Sequence, residues 1–273
     1  MVTAAVLVSP YSSVVRAEDS PMYSLSPYWK PVVSQWEDVI FQYAQERGMD
    51  PDFIAAVIWK ESRGVPTERS IVGAVGLMQL MPRPDRPSPK ELENPWTNVM
   101  WGTRTMGQII RDGNGDLYYA LAAYNGGWNQ IHLRVTRRYA TEILDSYSRA
   151  VAMRYGLPAD GDWVAIFAVE GVPNDTITVI GPQRPLTRYT ERPWIQANIP
   201  AVPEGVPPHT TVVTFVNAQG IEGRVNLWLV AEDGRPFTSS AEQDDPLSPS
   251  FAVHATPAEQ GLISVLYPSG ETE

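Results

Sequence analysis

The sequence predicts a multidomain α and β protein: a mainly helical domain over residues 31–157, then a small antiparallel β domain, a sandwich or barrel, over 158–273. Three observations carry this expectation. From about residue 31, apolar residues recur at three- and four-residue spacing between helix start and stop signals. Beyond Pro158 the pattern changes to short β-rich runs separated by Pro, Gly, Asp and Asn turns. With 273 residues, 43% hydrophobic and 19% charged, the chain can bury an adequate core and lacks the composition of a disordered one.

Residues 1–30 read as a lead-in. Val2 to Val8 is an apolar run with no Lys or Arg before it, either the stub of a trimmed export signal or anchor or an ordinary tail. Pro31 to Gly48 reads as one helix, with Val32, Val33, Trp36, Val39, Ile40 and Tyr43 on its apolar face and Gly48 ending it. Asp50 then caps a second helix with Pro51 at its first position. Further helices are expected at 96–111, 116–124 and 137–155. The strand-like runs are WVAIFAV (163–169), TITVI (176–180), TVVTFV (211–216), RVNLWLV (224–230), FAVHA (251–255) and LISVLY (262–267), with a proline-rich span at 181–209 as a long loop or inter-sheet connection.

Composition removes several function classes. A net charge of −10 leaves no broad basic footprint for nucleic acid. The absence of cysteine excludes disulfides, thiolate metal sites, cysteine nucleophiles and a lipid-modified cysteine. No segment has the roughly 20 consecutive apolar residues that a membrane-spanning helix needs.

One carboxylate stands out. In DPDFIAAVIWKES, residues Ile54, Val57 and Ile58 form an apolar stripe, and Glu61 lies seven, four and three residues beyond them on the same face, with Lys60 and Asp52 pointing away. Burial there would raise the pKa of Glu61 and let it act as a general acid near neutral pH. The alternative is a frayed helix end with Glu61 in solvent.

The residues that follow form three ordered blocks. Glu61-Ser62 is followed by Ser70, then by Gly73-Ala74-Val75-Gly76-Leu77-Met78-Gln79-Leu80-Met81-Pro82, and later by Ala122-Ala123-Tyr124-Asn125-Gly126-Gly127. Asn94-Pro95-Trp96-Thr97-Asn98-Val99 and Gly102 lie between. Over roughly residues 35–150 the chain resembles the soluble-type lytic transglycosylases, whose catalytic domain has a lysozyme-like fold.

The resemblance implies an enzyme that cleaves peptidoglycan between N-acetylmuramic acid and N-acetylglucosamine without consuming water. Glu61 would act first as acid and then as base, so that the muramyl C6 hydroxyl closes on C1 and leaves a 1,6-anhydro end. A single carboxylate suffices when the substrate supplies its own nucleophile, whereas glycosidases in general use two. Ser70, Gln79, Met81, Tyr124 and Asn125 would line the cleft, with Tyr124 near Glu61, and no metal or organic cofactor is called for. Met78 and Met81 suit either a core or a groove wall, Leu77 suits the core, and Ser62 suits a helix-end hydroxyl turned to solvent. Gly73 and Gly76 suit a backbone constraint. Glu68, Asp85, Glu91 and Glu93 suit solvated loops. The expected setting is an exported, cell-envelope or phage-associated one, with a cell-envelope or secretion partner engaged through the β domain. The alternatives are a hydrolytic muramidase and a wall-binding assembly component with little turnover.

Two departures bear on subsites: Arg63 stands where an apolar or aromatic residue is common, with Gly64 closing the helix, and RPDRPSPKEL after Pro82 is proline-rich. Asp112-Gly-Asn114-Gly-Asp116 imitates the start of a calcium loop but has Leu117 and Ala123 where Gly and Glu belong, so it reads as a turn opening a helix. His132, His209 and His254 lack ligand spacing and read as structural or exposed. In the β domain, Trp163 and Trp228 read as core and Trp194 as exposed, which leaves open a glycan-binding module, a structural spacer or a docking surface.

Overall fold

The computed structural model describes residues 24–190 and 201–231; the runs at 251–255 and 262–267, Trp194, His254 and the lead-in through residue 23 lie outside them. Six helices precede five strands: α1 Pro31–Ser34, α2 Glu37–Arg47, α3 Pro51–Ser62, α4 Pro95–Asp112, α5 Leu117–Gly126, α6 Arg134–Arg154, β1 Trp163–Glu170, β2 Thr176–Gly181, β3 Arg184–Thr190, β4 Thr210–Val216 and β5 Glu222–Ala231.

Helix α3 is the centre of the helical part. Asp50 caps it by accepting from the Asp52 amide at 2.9 Å, Pro51 occupies its first turn, and every residue from Asp52 to Ile58 is buried. Asp52 therefore does not point to solvent as expected: neighbours enclose α3 on all sides, and its first turn sits in a polar cluster with Arg154. The helix expected over Pro31–Gly48 is broken at Gln35–Trp36. Trp36 donates its indole N–H to the Gly64 carbonyl at 2.9 Å, which pins the break against the end of α3. Gly48 ends α2 in the left-handed conformation (φ 60°), and a Cβ there would lie 2.2 Å from Thr214 Oγ1, so the same glycine lets β4 approach.

The strands form one open antiparallel sheet in the order β3-β2-β1-β5-β4, with no closure into a barrel among the described residues. Trp163 to Glu170 pairs residue for residue with Arg224 to Ala231. Strand β3 falls inside the span read as a loop. Its sequence, RPLTRYT, carries Pro185, which an edge strand tolerates because its outer amides need no partner. One face of the sheet joins the helical core, where Tyr147 and Phe167 rings lie 5.6 and 6.2 Å from their neighbours Phe53 and Tyr147. The other face holds a smaller cluster of Val164, Ile166, Ile177, Val179, Trp228 and Val230. With both faces covered, β1 reads as a continuous apolar run and not as an alternation. Trp163 and Trp228 are core, their indoles donating to Pro158 and Val206 carbonyls at 2.7 and 3.0 Å.

Polar contacts tie the two parts together. Arg154 of α6 pairs with Asp50 and Asp52, and Thr210 donates to Asp50 at 2.7 Å. The Asp50 amide donates to the Val212 carbonyl at 2.8 Å. Asp116 caps α5 by accepting from the Tyr119 amide at 3.0 Å and pairs with Arg188 of β3, so Asp112–Asp116 is the turn between α4 and α5. His132 is exposed; His209 accepts from the Leu229 amide at 3.2 Å and stacks edgewise on Tyr155.

Candidate active site

Glu61 occupies the last turn of α3. Below it, Ile54, Val57 and Ile58 are at most 1% exposed, so the stripe read from the sequence is the inner face. The helix ends one residue earlier than expected: Arg63, not Gly64, takes the left-handed cap (φ 56°), and its guanidinium lies 4.4 Å from the centre of the Trp59 ring. Gly64 follows, also left-handed, where a Cβ would collide with the Val32 carbonyl oxygen at 1.9 Å. Ser62 is buried and does not face solvent. Its hydroxyl donates to the Ile58 and Leu77 carbonyls at 3.2 and 2.9 Å, which fastens the helix end to the glycine-punctuated loop.

The Glu61 side chain keeps a partial opening to solvent while its carboxyl is packed densely by protein atoms. This burial dominates its electrostatics and pushes its pKa up to about 7. Two opposing influences are smaller: the Tyr139 hydroxyl donates to Oε1 at 2.5 Å, and the charge of Lys60 lies nearby. Lys60 is itself engaged by Glu142, which Arg138 also holds.

The partner expected for Glu61 was Tyr124. Its hydroxyl instead donates to the Met78 carbonyl at 2.8 Å, close enough to Glu61 for the two groups to influence each other's ionisation. Burial and the neighbouring carboxylate keep both Tyr124 and Tyr139 well above the usual phenol range, so both are neutral donors. Tyr139, on α6, is a site residue the sequence reading missed. Its only local signal is membership of the inward face of α6 with Thr136, Ala140 and Ile143.

Asn98 organises the loop that follows. Fully buried, it donates to the Val75 and Leu92 carbonyls at 2.8 Å and accepts from the Met78 amide at 2.8 Å. Gly76 fits beneath it with φ 83°, where a Cβ would sit 2.2 Å from Asn98 Nδ2; Gly73 is also left-handed but stands in open space. Gln79 has φ 47° and donates its amide N–H groups to the Glu68 and Gly76 carbonyls, both at 3.0 Å.

Gln79, Met81, Tyr124 and Asn125 line one groove of about 890 Å³, together with Trp101, Trp128 and several arginines. Ser70 does not line it; its hydroxyl accepts from the Ala74 amide at 2.9 Å and shapes the loop tip. Glu61 is not on the groove wall, but it lies close enough to Tyr124, which is, for its charge to act on that phenol. Met81 is exposed at the groove, whereas Leu77 and Met78 are core. Of the loop carboxylates, Asp85 lines the groove, while Glu91 and Glu93 are fixed at the surface by Ser88 and by Lys90 and Arg69, which hold them below the usual carboxylate range.

Residues 38–146 match the family model described as Transglycosylase SLT domain. Over 112 residues the chain is 37% identical to a transglycosylase of Enterobacteria phage PRD1, covering 40% of this chain and 42% of that protein. Over 162 residues it is 26% identical to the soluble lytic murein transglycosylase of Salmonella typhimurium, covering 47% of this chain and 25% of that protein. Among solved structures, the 70 kDa soluble lytic transglycosylase from Escherichia coli aligns with a TM-score of 0.39 and 24% identity over 45% of this chain and 25% of that one. The chain thus spans less than half the length of these relatives. Residues 38–146 of this chain belong to the transglycosylase SLT domain family.

Proposed function

We propose that the protein is a peptidoglycan lytic transglycosylase. The observation that carries this is Glu61: a carboxyl raised to about 7 by burial, held by one neutral tyrosine, beside an open groove walled by Trp101, Trp128 and Tyr124. An open groove of this volume suits a polymer, and aromatic walls suit the faces of sugar rings. Protonated Glu61 delivers its proton to the glycosidic oxygen, and the C1–O bond breaks. Glu61, now a carboxylate, takes the proton of the muramyl C6 hydroxyl, and that oxygen bonds to C1. The acid is restored, and no water is consumed. Tyr139 orients the carboxyl through both steps, and the Gln79, Asn125 and Met81 side chains position the strand.

The strands from residue 158 on serve chiefly as a buttress, because their inner face shares one core with the helices. The setting is a cell envelope or a phage that must breach one. Among the described residues no helix is long and apolar enough to cross a membrane.

A hydrolytic outcome has one observation in its favour, the placement of Asp85 on the groove wall. Digestion of purified peptidoglycan by the wild type and by Glu61→Gln, with mass spectrometry of the muramyl ends, separates the readings. Anhydro ends from the wild type alone are expected. Reducing ends would replace the transglycosylase by a muramidase, and binding without cleavage by either protein would replace it by an assembly role.

A further inference from the structure

The groove is basic in an acidic protein. Arg83, Arg86, Arg104 and Arg111 line it, against a single carboxylate, Asp85, while the whole chain carries a net charge of −10. Arg104 and Arg111 also line an adjoining pocket of about 50 Å³ together with Arg47. The track therefore runs from the groove, over α4, to the junction of α2 and β4.

None of these five guanidiniums pairs with a carboxylate among the described residues. Arg104 stacks on Trp101 at 5.1 Å, Arg111 donates to the Gln108 amide oxygen at 2.8 Å, and Arg86 reaches only the Met81 carbonyl and the Thr105 hydroxyl at 3.4 Å. The Nε of Arg47 is buried without any acceptor. Clustered cations repel one another, and an uncharged sugar backbone gives no return for keeping them together. Guanidinium forks match carboxylates in geometry as well as charge.

We propose that this arginine track binds the carboxylates of peptide stems carried by the glycan, so that the preferred substrate is stem-bearing and not stem-free peptidoglycan. This rests on the reading of the groove as a glycan site. Stems project from muramyl residues at regular intervals, so a strand held along Gln79, Tyr124 and Trp128 brings carboxylates past α4, where Arg104, Gln108 and Arg111 share one face.

The test measures binding of the full chain to glycan with stems intact and to the same glycan after amidase removal of the stems, at low and high salt. Phosphate-rich wall polymers are stripped from both samples, and a third sample retains them. The wild type should bind stem-bearing glycan about tenfold more tightly, with the advantage lost at high salt. Arg104→Gln with Arg111→Gln should bring the ratio of its affinities for the two glycans to about one while keeping its melting temperature; Arg83→Gln with Arg86→Gln serves if the first pair fails to fold. Equal affinity of the wild type for both glycans would overturn the proposal. So would an advantage that survives in the folded variants, or one seen only with phosphate polymers. Anhydro-end release from stem-free glycan is scored separately, so failure of the cleavage reading and failure of stem recognition give different results.

Discussion

The two ends of α3 each hold a carboxylate away from bulk water, and they are built in opposite ways. At the start, Asp52 has no exposed surface and four hydrogen bonds: from the Ser26 amide at 2.9 Å, from the Trp29 indole at 2.7 Å, and two from Arg154, one of them at 2.8 Å. At the end, Glu61 has one, from Tyr139. The helix dipole sharpens the contrast, since its positive end favours the anion at Asp52 and its negative end disfavours one at Glu61. Burial alone therefore does not decide what a carboxylate does. A saturated, ion-paired group is part of the framework, whereas a sparsely bonded one in dense apolar surroundings is free to gain and lose a proton.

That comparison can be broken most forcefully by Glu61→Gln. Strand cleavage should fall by about 10²–10⁴-fold, as expected for loss of a general acid, while folding is retained. A residual rate near wild type would show that the proton comes from elsewhere. Next in size is Arg154→Met, which leaves Asp50 and Asp52 buried without their countercharge. Urea unfolding should report a loss of about 3–5 kcal/mol, and a loss below 1 kcal/mol would mean that the cluster is solvated.

Burial raises the Asp52 carboxyl as well, against the pull of Arg154, so the two ends differ in their partners and not in the direction of the shift. The pH dependence of stability reads the Glu61 end. The folded-state pKa of Glu61, about 7, lies above the ordinary 4.5, so the folded protein keeps a proton that the unfolded chain has lost. Its contribution to stability therefore falls as pH rises from about 4.5 to about 7, and Glu61→Gln escapes that loss. The variant should gain about 1–3 kcal/mol over wild type at pH 8 relative to pH 5, an upper range reduced for the partial exposure of Glu61. Melting curves at the two pH values read it directly, and no difference would place the carboxyl in water.

The smallest effect is expected from Tyr139→Phe. The hydroxyl favours the charged carboxylate, so removing it raises the pKa of Glu61. The alkaline limb of the cleavage profile should move up by about one pH unit or less. A downward shift would assign Tyr139 to the protonated form instead.

The contrast between α3 and β3 shows what was legible locally. Asp50, Pro51 and the apolar spacing of Ile54, Val57 and Ile58 announce α3 within a dozen residues, and the structure reproduces its start and ends it one residue earlier than expected. Strand β3 has a proline at its second position and no alternation, and it exists because β2 offers it an edge. In the same way the α3 periodicity placed Glu61 on the inner face with a solvent-exposed helix end as the alternative, while its hydrogen-bond partner lies 78 residues away on α6. Tyr124 and Tyr139 are both tyrosines on helices, and nothing local says which hydroxyl faces the carboxyl. The arginine track is equally silent, because Arg47, Arg83 and Arg104 are separated by more than a helix length and meet only across the folded surface.

What the sequence determined by itself was α3, the helices that follow it, four of the five described strands and the inward side of α3 on which Glu61 lies, because capping, periodicity and turn residues act over a few residues; the role expected of Glu61 came from the resemblance carried by the motif blocks. Tertiary structure alone decided that both faces of the sheet are covered, that Asp52 is saturated and Glu61 nearly bare, and that the Tyr139 hydroxyl donates to Glu61. Those outcomes depend on which distant side chains share a volume, and packing sets them only when the whole chain is in place.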